Sequence, residues 1–193
     1  MIAQKKGADR IELCKNLDEG GLTPSILDIK KANDLLIIPL KVMIRCRPGN
    51  FLYNKKEIDE MIEDIQKVKD LGIKEIVFGV IDKNYQINIS TMKIIAQEAF
   101  PMLITFHKAI DLTHGIKKEL KKLSEIKNVK SILTSGGQGT AEEGICILKE
   151  LVHEFKGRFE IIVAGSVTQN NLVSLHKKIN ANEYHGKNIL IRV

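Results

Sequence analysis

A chain of 193 residues with 44% hydrophobic composition can bury one sizeable core and is too short for two comfortable ones. Its formal charge of +6 raises nucleic acid as a partner, but the lysines fall in scattered pairs such as Lys30-Lys31 and Lys121-Lys122. With aromatics at 5% and no aromatic–basic interleaving there is no base-stacking platform, so no nucleic-acid partner is expected. No stretch approaches the roughly 18 consecutive apolar residues of a membrane span, and the first residues lack the apolar core of a secretory signal. The three cysteines, Cys14, Cys46 and Cys146, have no close CxxC spacing and read as reduced thiols of a cytoplasmic protein.

Taken in order, the first strand-like run is Asp9 to Cys14, entered from a helix tail closed by Gly7. The turn-rich segment from Glu19 to Ser25 follows and starts a helix at about Ser25, with Thr23 and Ser25 both of N-cap type. A second run from Ile37 to Arg47 leads through the loop Pro48 to Asn54 into a long helix, from about Lys55 to Leu71. That helix has Ile58, Met61, Ile62, Ile65 and Val68 on one stripe and Gly72 as its closing residue. The third run is Glu75 to Asp82, and a helix near Ile89 to Ala99 precedes the fourth, Leu103 to Asp111. A helix near Gly115 to Ile126 leads to the fifth run, Val129 to Gly137, and a helix from about Thr140 to Phe155 leads to the sixth, Phe159 to Ser166. A last helix near Gln169 to Ile179 gives way to a seventh run, Glu183 to Gly186.

Strands alternating with helices indicate βαβ units, right-handed crossovers and a parallel sheet. The expectation is an α/β fold, a TIM-type (β/α)8 barrel made as one domain over residues 1–193. It is incomplete, with seven strands recognisable and the first strand and last helix missing. An open doubly wound sheet is the competing fold.

Parallel α/β sheets keep their sites at the carboxyl ends of their strands. The fourth run ends in His107-Lys108-Ala109-Ile110-Asp111, ionisable groups after an apolar stretch. Strand alternation places Leu103, Thr105 and His107 on one face. The same rule aligns Arg10, Glu12 and Cys14 on the first run, Met43, Arg45 and Arg47 on the second, and Glu183 and His185 on the seventh. Glu12, Arg45, His107 and His185 should therefore converge on one polar mouth. The turns Ser135-Gly136-Gly137 and Ala164-Gly165-Ser166 let backbone N–H groups approach an oxyanion, and with Arg45 and Arg47 they point to a small anionic ligand. For a metal the ligand types are Cys14, His107 and His185, with Cys46 a candidate by type only. Alternation turns Cys46 toward the helix layer as a packed thiol, and Cys146 is expected to pack on a helical stripe. His153 and His176 read as surface residues, and His114 as a rim residue.

The segments Gly7 to Cys14, Glu19 to Ser25, Val42 to Arg45, Thr105 to Asp111 and Leu133 to Gly137 together resemble the CutC copper-homeostasis family. The resemblance implies a cytoplasmic, often oligomeric TIM-type barrel linked to copper handling and copper(I) binding. It assigns Glu12, Arg45, His107, Asp111 and His185 to a shared polar cavity, and a copper role first to Cys14. The chain departs from the family's pattern at Arg45-Cys46-Arg47, at His107-Lys108-Ala109-Ile110-Asp111, after Gly165 and after His185. The alternative reading is an enzyme acting on a small phosphorylated or otherwise anionic substrate. There His107 would be general acid–base, with Asp111 or Glu12 orienting it. The expected partners are thus a small anion or a copper ion, and further copies of the chain, with neither nucleic acid nor membrane. A third reading is an inactive remnant that persists through assembly with other chains.

Overall fold

The computed structural model describes residues 2–190. Its strands are β1 (Ile11–Leu13), β2 (Leu40–Met43), β3 (Glu75–Phe78), β4 (Leu103–Phe106), β5 (Val129–Thr134), β6 (Glu160–Val163) and β7 (Glu183–Tyr184). All are parallel and lie side by side in chain order, so every connection is a crossover between neighbours. The helices are α1 (Ile2–Lys5), α2 (Ile26–Leu35), α3 (Lys55–Asp70), α4 (Ile89–Ala99), α5 (Ile116–Leu123), α6 (Ile145–Glu154) and α7 (Gln169–Ile179). The sheet curls as a seven-stranded, incomplete TIM-type barrel. None of the described helices is long and apolar enough to cross a membrane.

Side-chain alternation divides the interior in two. Val42, Ile44, Ile76, Phe78, Ile104 and Phe106 face outward into one core shared with Met61, Ile65 and Val68 of α3 and Met92 and Ile95 of α4. The inward face of β2 to β4 is polar: the buried Lys41 Nζ donates to Thr105 Oγ1 at 2.8 Å and lies 3.1 Å from Glu75 Oε2. Along β5 and β6 it turns apolar, with Leu133, Ile162 and Ala164 in contact. Among the described residues β1 and β7 are not hydrogen-bonded to each other, and side chains span the gap instead. Arg10 Nη1 meets Glu183 Oε2 at 2.6 Å, and one pleat higher His185 Nδ1 lies 3.9 Å from Glu12 Oε2.

Several boundaries differ from expectation for local reasons. Ser25 caps α2, accepting from the Asp28 N–H at 3.1 Å, while the Thr23 hydroxyl accepts from the Arg45 N–H at 2.8 Å. α6 begins at Ile145 rather than near Thr140 because Gly144 presses against β5: a Cβ there would sit 1.9 Å from the Ser135 carbonyl oxygen. That start leaves Leu148 and Leu151 on the buried stripe and Cys146 exposed, correcting its expected packing. Cys46 does face the helix layer, packed against the main core. β7 is two residues long, though the His185 N–H continues its pairing by donating to the Val163 carbonyl at 2.8 Å.

Candidate functional site

His107 follows β4 and caps the 3-10 turn Lys108–Leu112, its Nδ1 accepting from the Ala109 N–H at 3.2 Å. The ring is 3% exposed and rests on Gly79 at the end of β3, where any Cβ would lie 2.5 Å from Nδ1. An accepting Nδ1 puts the imidazole proton on Nε2. Burial, and then the nearby Arg45 charge, push the pKa down to about 3. His107 is therefore a neutral N–H donor at physiological pH, and its buried Nε2 has no partner. It is poorly suited to be a general base.

Arg45 extends from the end of β2 and is 4% exposed. Its Nη1 donates to the Glu19 and Gly21 carbonyls at 3.0 and 3.2 Å, and its Nη2 to the Gly49 carbonyl at 2.8 Å. Three hydrogen bonds thus bind the loop after β1 to the loop after β2. The guanidinium Nε is buried without a partner. Phe51 covers both groups: its ring lies 4.8 Å from Arg45 Cζ and 4.6 Å from the His107 ring centre. The Tyr53 hydroxyl is also buried with no well-aligned hydrogen bond, and burial pushes the phenol up to about 12 against the opposing charge and side-chain contact of Arg45. Sequence reasoning did not find Phe51 or Tyr53, because isolated aromatics in a loop of Pro, Gly and Asn carry no periodic signal.

The turn after β5 corrects the anion expectation. Its donors are filled by the chain's own carboxylate: Asp111 accepts from the Ser135 N–H at 3.0 Å, the Ser135 hydroxyl at 3.0 Å and the Gly137 N–H at 2.9 Å. The Thr134 hydroxyl adds a short bond to Asp111, the Lys108 ammonium donates at 2.8 Å, and the Gly136 N–H goes to Thr134 Oγ1 at 2.9 Å. Gly165 at the end of β6 is needed for packing, since a Cβ there would lie 2.8 Å from that of Ser135. Arg47, expected beside the anion, instead pairs with Glu57 in the capping box of α3.

Glu12 and His185 face each other across the β1–β7 gap, with side chains 12% and 40% exposed. Burial lifts the Glu12 carboxyl above its usual range despite His185 and Lys41 nearby. Cys14, half-buried, lies one pleat above Glu12, close to the backbone of Gly21. Burial first, and the Glu12 charge second, raise its thiol, which favours the protonated form over the thiolate that binds metal. No group of three His, Cys, Asp or Glu side chains converges among the described residues. Of the expected metal ligands, Cys14 therefore stands without two further His, Cys, Asp or Glu partners in reach among these residues.

The model of the CutC family matches residues 1–190. The chain belongs to the CutC family. A CutC family protein of Yersinia pseudotuberculosis is 39% identical over 180 residues, which cover 93% of this chain and 70% of that protein. The CutC protein of Histophilus somni is 40% identical over 96% of this chain and 76% of its own length. The crystal structure of CutC from Streptococcus agalactiae, named for copper homeostasis, superposes with a TM-score of 0.90 at 34% identity. That match covers 94% of this chain and 89% of the other. A dihydrodipicolinate synthase from Acinetobacter baumannii shares the barrel fold alone with this CutC chain (TM-score 0.61, 16% identity, 96% and 60% of the two chains).

Proposed function

We propose that this chain serves copper homeostasis, the role for which its CutC relative is named, as a cytoplasmic protein that binds a small anion at the carboxyl-end mouth of its barrel. The observation that carries this reading is the pair of buried N–H donors without partners, Arg45 Nε and His107 Nε2. A buried polar group left unpaired is costly, and both groups lie against the Phe51 ring, where an entering acceptor would relieve that cost. One donor belongs to a guanidinium and the other to a neutral imidazole, which suits a phosphate or a compact carboxylate. His107 holds such a ligand without exchanging a proton with it. Glu12 and His185, 3.9 Å apart, are the remaining ionisable pair that could exchange a proton with a bound ligand.

Calorimetric titration with inorganic phosphate tests the reading. Saturable binding with one site per chain is expected, weakened about tenfold in His107→Leu by loss of one hydrogen bond. Absence of saturable binding would remove it. A second reading, copper(I) as cargo on Cys14, draws on two sulfur-bearing side chains that both reach the backbone of Gly21, the Cys14 thiol and the methyl end of Met43. A Cβ on Gly21 would lie 3.2 Å from Cys14 Sγ and 3.7 Å from Met43 Cε. Anaerobic copper(I) titration giving stoichiometric uptake in the native chain and none in Cys14→Ala would favour it.

A further inference from the structure

In the resting structure both unpartnered donors are sealed from solvent beneath a ring that cannot bond to them. Any ligand that reaches them must first move something, and the loop itself offers little. Every carbonyl from Pro48 to Leu52 is already in use. Arg47 donates to the carbonyls of Pro48, Asn50 and Leu52 at 3.2, 3.1 and 2.8 Å. Arg45 holds that of Gly49 at 2.8 Å, and the Ile81 N–H holds that of Phe51 at 3.1 Å. The Asn50 side chain locks the turn further by accepting from the Leu52 N–H at 3.2 Å. With the backbone fixed at five successive carbonyls, any opening falls to the Phe51 side chain, which packs against the main core but is only partly buried. Its resting position is held by stacking on the guanidinium and the imidazole, contacts that are weak singly and that a ligand can replace.

We infer that Phe51 is a one-residue gate over the anion subsite, its ring swinging off Arg45 and His107 to admit a ligand no larger than the ring it displaces. The inference rests on the proposed reading of Arg45 Nε and His107 Nε2 as anion donors. It also gives Arg47 a role: its fan of hydrogen bonds to the loop, pinned to Glu57, is the rigid frame on which the ring turns. The ligand class it defines is compact: inorganic phosphate, or a carboxylate on a body of a few atoms.

The experiment measures inorganic phosphate binding by calorimetry to the native chain, Phe51→Ala and Phe51→Leu, with thermal unfolding as the control for folding. A closed gate lowers apparent affinity by the fraction of molecules that are open, so Phe51→Ala should bind about tenfold more tightly. Phe51→Leu, which lacks the π face but keeps apolar cover, should fall between the two and serves alone if the alanine variant does not fold. The chain contains no tryptophan, so Phe51→Trp supplies a single indole whose emission should shift as phosphate saturates the site. Equal affinities in native and variant chains, or unchanged indole emission while binding heat is measured, overturn the gate and leave the anion site standing. No phosphate binding to any of these chains removes the anion site and the gate with it.

Discussion

A histidine 3% exposed, resting on a glycine and facing a guanidinium does not titrate like a free imidazole. With a folded pKa of about 3 against an ordinary 6.5, the unfolded chain takes up a proton throughout that interval while the folded chain does not. Stability therefore rises with pH across the window, is complete above 6.5, and is lost at about 1.4 kcal/mol per pH unit as the solution is acidified toward 3. Urea unfolding at stepped pH should show a flatter acid limb in His107→Leu than in the native chain, the difference between the two slopes being the histidine's share. Beneath the same ring, Gly79→Ala would force a Cβ to 2.5 Å from Nδ1, and Phe51 packs against the imidazole 4.6 Å away. The expected cost is about 2 kcal/mol, read as a lower urea midpoint at constant slope. At this scale the sequence was informative about burial: Glu12, Arg45 and His107, singled out by alternation, are the ionisable side chains that end these strands mostly shielded from solvent. It could not tell that Arg45 spends three hydrogen bonds on loop carbonyls, because those partners lie up to 26 residues away.

Elements with strong local signals were legible, and those set by contacts between loops were not. α3 begins at Lys55 as expected, because Asn54 and Glu57 form a reciprocal capping box and the Met61, Ile65, Val68 stripe has a single buried face. The 3-10 turn Lys108–Leu112 left no such trace. It exists because His107 caps it at one end and the Asp111 carboxylate enters the turn after β5. A glycine-rich turn reads the same in sequence whether an outside anion or an internal aspartate fills it, so the identity of the occupant needed the structure. Asp111→Ala would strip acceptors from the N–H groups of Ser135 and Gly137 and from the Thr134 hydroxyl at once, while the Ser135 hydroxyl keeps the Gln138 carbonyl at 2.6 Å. A loss of about 3 kcal/mol is expected. Hydrogen exchange should quicken first in residues 108–112 and 135–137, which would distinguish release of this one lock from general loosening of the sheet.

For the molecule as a whole, the alternation of strands and helices was enough to predict a parallel sheet in chain order, but not how its two outer strands meet. β1 and β7 each lend a backbone edge to no described neighbour on one side, and such edges invite pairing with other chains. Here the edges are held across the gap by two side-chain rungs, Arg10 with Glu183 and Glu12 with His185. Only the lower rung is at hydrogen-bond distance, 2.6 Å against 3.9 Å, so it should carry most of the restraint. Glu183→Gln keeps the side chain's shape and removes its charge, and should cost about 1 kcal/mol because the pair is partly exposed. The larger effect should be local: faster amide exchange in β1 and β7, with β3 to β5 unchanged. If assembly of copies proceeds through these edges, the freed strands should also raise the average mass seen by light scattering between 1 and 100 μM, about the range where edge pairing competes with folding. Unchanged exchange in β1 and β7 would mean that the curl of the sheet, and not the ion pair, sets the width of the gap. A changed exchange pattern with constant mass would mean that the edges open without recruiting a second chain.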